Sequence, residues 1–169
     1  MEFNKVGFFN KVSYERFAKD LDPDGVLDDA QVSDIYNRIS VPQRATKHSA
    51  GYDFKAPFGF TLEPGESIKI PTGINVNIDP GWFLACFPRS GLGFKYQARL
   101  ANTTGVIDGD YIFSDNEGHI FAKLVNGGDK SLEINAGDGF MQGIFLPYGI
   151  SYNDDATGIR NGGFGSTGR

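Results

Sequence analysis

The stretch that decides the fold reads SIKIPTGINVNIDPGWFLACF, at residues 67–87. Within it, residues 74–78 alternate apolar and polar side chains, which is the period of a half-buried strand. Proline and glycine at 71–73 and 79–81 break the stretch into short pieces. Further strand-like runs recur near residues 119–125, 131–134 and 140–146. Short strands and turns at this spacing predict an all-β antiparallel barrel or jelly roll.

The first 40 residues follow a helical spacing instead. Apolar residues recur at i, i+3, i+4 and i+7 in two sets: Tyr14, Phe17, Ala18 and Leu21, then Val32, Ile35, Tyr36 and Ile39. Ser13 and either Asp28 or Asp29 are placed to cap the two helices, and Pro42 stops the second. We interpret this segment as a helical extension packed on the barrel, with a partner-binding appendage as the alternative.

Composition excludes several classes of protein. The 169 residues carry a net charge of −5 without a basic run, so a surface for nucleic acid is not expected. Cys86 is the single cysteine, which rules out an intramolecular disulfide and fits a reducing compartment. Together with the distant His48 and His119 it makes no zinc signature. No apolar run is long enough for a membrane span, so we expect a soluble, cytoplasmic protein.

Five segments are too specific for a plain barrel. They are residues 49–53 (SAGYD), 88–93 (PRSGLG), 102–111 (NTTGVIDGDY), 137–142 (GDGFMQ) and 162–168 (GGFGSTG). Their order and content resemble the five motifs of the trimeric dUTPase family, over residues 41–169. The resemblance implies a homotrimer of distorted jelly-roll subunits that hydrolyses dUTP to dUMP and pyrophosphate. It divides the chain into the extension (1–40), the barrel (41–159) and a flexible glycine-rich arm (160–169).

The second segment is suited to binding phosphate. Arg89 offers a rigid fork of donors, Ser90 adds a hydroxyl, and Gly91 lets a ligand approach the backbone in a glycine turn. Taken alone, the segment could equally be a surface turn with a solvated arginine. The resemblance implies that Arg89 and Ser90 contact the phosphates, that Gln142 lies near them, and that Asp53 is a structural support.

The third segment has apolar flanks around two glycines and predicts a hairpin. The amides and carbonyls along a hairpin edge can match the edge of a uracil ring. The resemblance implies that Asn102, Gly105 and Ile107 line this uracil pocket. It also implies that Tyr111 packs on the deoxyribose and leaves no room for a 2′-hydroxyl, whereas without it Tyr111 could be a core aromatic.

Asp108 is the predicted catalytic carboxylate, because hydrolysis needs a water that is oriented and partly deprotonated near phosphorus. The resemblance implies attack of that water on the α-phosphorus, and the alternative role of Asp108 is a turn cap. Asp110 is expected to face away from Asp108 and receives no chemical role. The triphosphate implies Mg²⁺ as cofactor, held by phosphates and water without direct protein ligands.

The C-terminal segment lacks the lysine of a Walker A loop and does not open a helix. Its glycines can nevertheless turn backbone amides toward phosphate. The resemblance implies an arm that closes over the nucleotide on a neighbouring subunit, so that active sites are shared. The residues expected to act there are Arg160, Phe164, Gly165, Ser166 and Thr167. A floppy terminus is the alternative, although it does not explain a lone phenylalanine.

Three features depart from the common motif pattern. The loop at residues 112–119 is longer, as in a subset from Gram-positive bacteria and their phages. Arg160 lies four residues before Phe164, where five is usual, and Gly139 stands where arginine is common.

Two rival functions remain open at this point. A dCTP deaminase has a similar fold but needs a glutamate on a core strand, and residues 119–125 offer no carboxylate. A regulatory protein that uses the nucleotide as a switch is compatible with the enzyme. The extension and the 112–119 loop would then bind its protein partner.

Overall fold

The alternation at residues 74–78 is a strand in the computed structural model, which describes residues 3–160. The strands there are β1 (Gly7–Lys11), β2 (Gln43–Arg44), β3 (Tyr52–Lys55), β4 (Phe60–Leu62), β5 (Ser67–Pro71), β6 (Ile74–Ile78), β7 (Trp82–Pro88), β8 (Arg99–Leu100), β9 (Gly105–Ile107), β10 (Phe121–Val125), β11 (Leu132–Ile134) and β12 (Gly139–Pro147). The helices are α1 (Tyr14–Leu21), α2 (Asp29–Arg38), α3 (Ser90–Tyr96) and a 3-10 helix, Gly109–Phe113. The predicted all-β class is confirmed.

The strands form four small antiparallel sheets. The largest has the order β2-β3-β12-β7-β9, and the others are β5-β10-β8, β1-β6 and β4-β11. Side chains from all of these sheets meet in one core, in which Phe54, Ile70, Leu84, Leu124 and Phe140 are at most 1% exposed. In the described range, no helix is long and apolar enough to cross a bilayer.

Both predicted N-terminal helices are present, with the predicted caps. The Ser13 hydroxyl accepts from the Arg16 amide at the start of α1, and Asp28 forms a capping box with Gln31 at the start of α2. Their apolar faces enclose a second cluster around Val12, Phe17 and Val32. The spacing that predicted the helices is therefore the spacing that buries them.

The extension also contributes a strand that was not predicted. β1 pairs along its whole length with β6, from Gly7 opposite Ile78 to Lys11 opposite Ile74. The turn after β5 packs closely against the helical segment. Gly73 has a φ of 72°, and a β-carbon there would lie 2.4 Å from Ile39 Cδ1 and 3.3 Å from Phe17 Cδ2. The N-terminal segment thus belongs to the body of the fold.

Two local predictions were wrong. Residues 102–111 do not form a hairpin, because β9 pairs with β7 and the chain then tightens into the 3-10 helix that begins at Gly109. The predicted glycine turn after Arg89 is instead the first turn of α3, with Arg89 at its N-cap position. In both places a glycine-rich sequence was compatible with a turn and with a short helix.

Candidate active site

One cavity gathers six of the predicted site residues. It encloses about 340 Å³ and its wall includes Asn102, Gly105, Ile107, Asp108, Tyr111 and Arg160. We call it the Asp108 cavity. Its volume lies in the range of pockets that hold small molecules.

The strand β9 forms one wall of the Asp108 cavity. Leu84, Ala85 and Cys86 of β7 pair with it on one side, and β9 is the edge strand of its sheet in the described chain. Gly105 is required by close packing, because a β-carbon there would lie 3.1 Å from the β-carbon of Cys86. An edge strand keeps backbone donors and acceptors available for a ligand.

Cys86 lies on β7, opposite Gly105 of β9, and also lines the cavity. Its side chain is buried, and burial raises the pKa of the thiol to about 12. The thiol is therefore protonated at neutral pH and is no nucleophile.

Asp108 lies where β9 ends and the 3-10 helix begins. Its carboxylate does not cap that helix, which removes the structural role considered for it. It pairs instead with the guanidinium of Arg160, whose Nε also donates to Asp110 Oδ1 at 2.8 Å. The expectation that Asp110 faces away from Asp108 was wrong, because Arg160 bonds to both carboxylates and residues two apart share a face even in an extended segment.

Tyr111 is buried, yet its side chain lines the Asp108 cavity. Its hydroxyl donates to the carbonyl of His119 at 2.9 Å and accepts from Asn116 Nδ2 at 2.8 Å. Burial raises the pKa of the phenol, so the hydroxyl remains a donor at neutral pH. Sequence reasoning missed both partners, because neither belongs to a motif and only the fold of the loop brings them to Tyr111.

The predicted phosphate-binding residues line a different depression, which we call the Arg89 groove. Its wall includes Arg89, Ser90, Gly51, Asp53 and Gln142. Arg89 Nε lies 3.4 Å from Asp53 Oδ1, so Asp53 holds the guanidinium beside the groove. Gly91 lies in a depression next to the groove that shares Arg89 and Ser90 with it.

Two glycines make room for the functional side chains of the Arg89 groove. A β-carbon at Gly139 would lie 2.7 Å from Arg89 Nη1 and 3.0 Å from its Cδ. A β-carbon at Gly51 would overlap the amide of Gln142. At Gly139, where the motif commonly has arginine, the space beside the backbone is therefore filled by the side chain of Arg89, the N-cap residue of α3.

The Asp108 cavity and the Arg89 groove share no lining residue. Within the described part of one chain, the predicted site residues thus form two groups. Phe164, Gly165, Ser166 and Thr167 lie outside the described residues. Between residues 3 and 160, no three His, Cys, Asp or Glu side chains are grouped so that they could hold a metal ion.

Sequence comparisons identify close relatives. A family model described as dUTPase matches residues 37–168. The deoxyuridine 5′-triphosphate nucleotidohydrolase of Lactococcus lactis is 41% identical over 133 residues, covering 77% of this chain and 89% of that protein. The protein of the same name from Desulfitobacterium hafniense is 40% identical over 136 residues, covering 76% and 87%.

Solved structures give the same family. The dUTPase of Streptococcus mutans aligns with a TM-score of 0.60 at 37% identity, covering 68% of this chain and 90% of that one. The dUTPase from phage φ11 of S. aureus aligns at 0.59 and 22% identity, covering 72% and 92%, and a mutant of it coordinates a structural Mg(II) ion. At that identity the phage enzyme is informative about the fold alone.

Proposed function

The chain belongs to the dUTPase family and hydrolyses dUTP to dUMP and pyrophosphate, and we propose that Asp108 holds the attacking water. The carboxylate accepts a hydrogen bond from the water and takes its proton as the oxygen attacks the α-phosphorus. The bond from the α-phosphorus to the bridging oxygen breaks, and pyrophosphate leaves. The single observation that carries this role is the half-exposed Asp108 carboxylate in the cavity wall, not engaged as a helix cap.

The base and the sugar are recognised in the Asp108 cavity. The free edge of β9 at Gly105 and Ile107 presents amides and carbonyls to uracil, assisted by the side chain of Asn102. Tyr111 packs against the deoxyribose, where a 2′-hydroxyl would collide with its ring. Contact between buried surfaces of this kind discriminates by shape as well as by hydrogen bonding.

The phosphates are bound by Arg89, Ser90, Gly91 and Gln142, with Arg160 and the arm residues Phe164, Gly165, Ser166 and Thr167 closing over the nucleotide. Mg²⁺ bound to the triphosphate would offset part of its charge and would need no direct protein ligand. Asp108 and Asp110, each about half exposed and both paired with Arg160, would face such an ion only through its water ligands.

The active site is assembled from several subunits of a homotrimer. Support comes from the separation of the Asp108 cavity and the Arg89 groove within one chain, since the water and the phosphate ligands must act on one substrate. We place the enzyme in the cytoplasm, in keeping with its single, buried cysteine. A regulatory protein partner for the N-terminal helices and the 112–119 loop stays a prediction.

The test is pyrophosphate release from dUTP compared with dTTP, dCTP and UTP. We expect strong preference for dUTP, and ammonia release from dCTP would instead indicate a deaminase.

Asp108→Asn should bind dUTP normally and lower kcat by about 100-fold or more, because the amide is a poor base. Asp129→Asn, on an exposed turn, is the matched control. An unchanged kcat for Asp108→Asn would remove Asp108 from the mechanism.

A further inference from the structure

A buried histidine links the N-terminal extension to the cavity wall. His119 is completely buried, and its Nε2 accepts from the Gly73 amide at 2.8 Å. The proton of the neutral ring is therefore on Nδ1, which donates to Asp20 Oδ2 of α1 at 2.7 Å. Burial lowers the pKa of the imidazole more than Asp20 raises it, so the ring is neutral and this tautomer is fixed at neutral pH.

The backbone of the same histidine holds Tyr111. The carbonyl of His119 accepts from the Tyr111 hydroxyl at 2.9 Å, and Asn116 Nδ2 donates to that hydroxyl at 2.8 Å and to the carbonyl at 3.3 Å. These three groups close a small network behind the tyrosine ring. A shift of the His119 backbone would therefore move a side chain that lines the Asp108 cavity.

The 112–119 loop is fastened to α1 at a second point. The Ser13 amide and hydroxyl donate to the two carboxylate oxygens of Glu117, at 2.8 and 2.7 Å. Inside the loop, Ser114 Oγ and Asn116 Oδ1 are buried without a hydrogen-bond partner. The loop's own side chains thus leave hydrogen bonds unmade. Its position is held by the contacts with α1 and the β5–β6 turn together with β6, where Asn75 Nδ2 donates to the Glu117 carbonyl at 2.8 Å.

We propose that helix α1, acting through Asp20 and His119, positions Tyr111 in the substrate cavity and thereby sets how strictly the enzyme distinguishes deoxyribose from ribose. This inference rests on the proposed role of Tyr111 against the sugar. Asp20 and His119 are positioning residues, because neither has to touch the nucleotide. The extension, which lies outside the resemblance, and the longer 112–119 loop then act together on sugar selection.

The experiment compares kcat and KM for dUTP and UTP in the full-length protein. Asp20→Ala removes the acceptor of His119 Nδ1, and we expect the ratio of kcat/KM for dUTP to that for UTP to fall about tenfold. The fall should come mainly from KM, because the carboxylate of Asp108 is untouched. Asp20→Asn keeps an acceptor oxygen and should hold the ratio within about twofold of the unmodified enzyme.

Asp34→Ala is the matched control, because it breaks an exposed ion pair with Arg38 on α2 and should leave the ratio unchanged. A folded Asp20→Ala protein with an unchanged ratio would overturn the inference. If that variant fails to fold, Asn116→Ala removes the donor to the Tyr111 hydroxyl without altering α1, and an unchanged ratio there would overturn it equally. Failure of the proposed function is distinguishable, since the unmodified protein would then not hydrolyse dUTP.

Discussion

Gly139 shows how a single absent side chain shapes the candidate site. Arg89 lies across the face of β12 where a β-carbon of residue 139 would be, and Asp53 holds it there. The φ of Gly139 is outside the left-handed region, so the backbone itself does not demand glycine. The space is kept for the guanidinium.

Gly139→Ala is therefore expected to displace Arg89 while leaving the fold intact. We expect kcat/KM for dUTP to fall by about 10- to 100-fold, since a phosphate ligand would be misplaced. The free energy of unfolding should change by less than about 1 kcal/mol. Steady-state kinetics and urea unfolding measure both quantities. Gly149→Ala, where a β-carbon meets nothing within 4 Å, is the control, and equal kinetics for the two variants would contradict the prediction.

At individual positions, motif spacing predicted the members of the Asp108 cavity but not their geometry. Asp110 was assigned to the wrong face, although residues two apart lie on the same face of an extended segment, and Arg160 bonds to both carboxylates in the structure. No local sequence pattern pointed to the role of His119, because its partner Asp20 lies 99 residues away in sequence. Such contacts are decided by the fold, and a local pattern contains no information about them.

At the level of elements, the N-terminal strand was the main omission. GFFNK places two phenylalanines side by side and does not alternate, so it gives no period of two. Its pairing with β6 brings together residues about 65 positions apart. The helices that follow were predicted because their capping and spacing are local features.

β1 should contribute to stability through one face. Phe9 packs against the rings of Tyr52, Phe54 and Phe145, with centroids 5.2, 5.7 and 5.6 Å away. We expect Phe9→Ala to lower the free energy of unfolding by about 2–3 kcal/mol, from lost burial and packing. The neighbouring Phe8 is 60% exposed, so Phe8→Ala should cost less than about 0.5 kcal/mol.

Chemical unfolding followed by circular dichroism measures this difference. Similar losses of unfolding free energy for Phe8→Ala and Phe9→Ala would mean that β1 does not pack on β3 and β12 as described.

The pairing of β1 with β6 also affects how a partner-binding role of the N-terminal segment is tested. Deleting residues 1–40 would strip a strand from the body of the fold, so exposed substitutions on α2 are the better probe.

On the scale of the whole molecule, the Asp108 cavity and the Arg89 groove are separate within one chain. This separation allows a test of whether the active sites are shared between subunits. Asp108→Asn and Arg89→Ala should each be nearly inactive alone. When the two are refolded together, some sites combine an intact Asp108 from one subunit with an intact Arg89 from another. Random mixing in equal amounts should restore about a quarter of the sites if each residue comes from a different subunit.

The measurement is the rate of pyrophosphate release by the mixture relative to the unmodified protein. A mixture that stays as inactive as its components would mean that both residues act within one chain. Each variant unfolded and refolded alone is the control for the effect of refolding on activity.

The burial of Cys86 provides a way to measure opening of the Asp108 cavity. Its thiol lies on β7 beside β9, protonated and almost completely buried. Because Cys86 is only 2% exposed, an alkylating reagent can reach the sulfur only when the residues around it move apart, and only a deprotonated sulfur reacts quickly. The labelling rate of Cys86 therefore measures transient opening around the Asp108 cavity, which Cys86 lines, without any engineered probe.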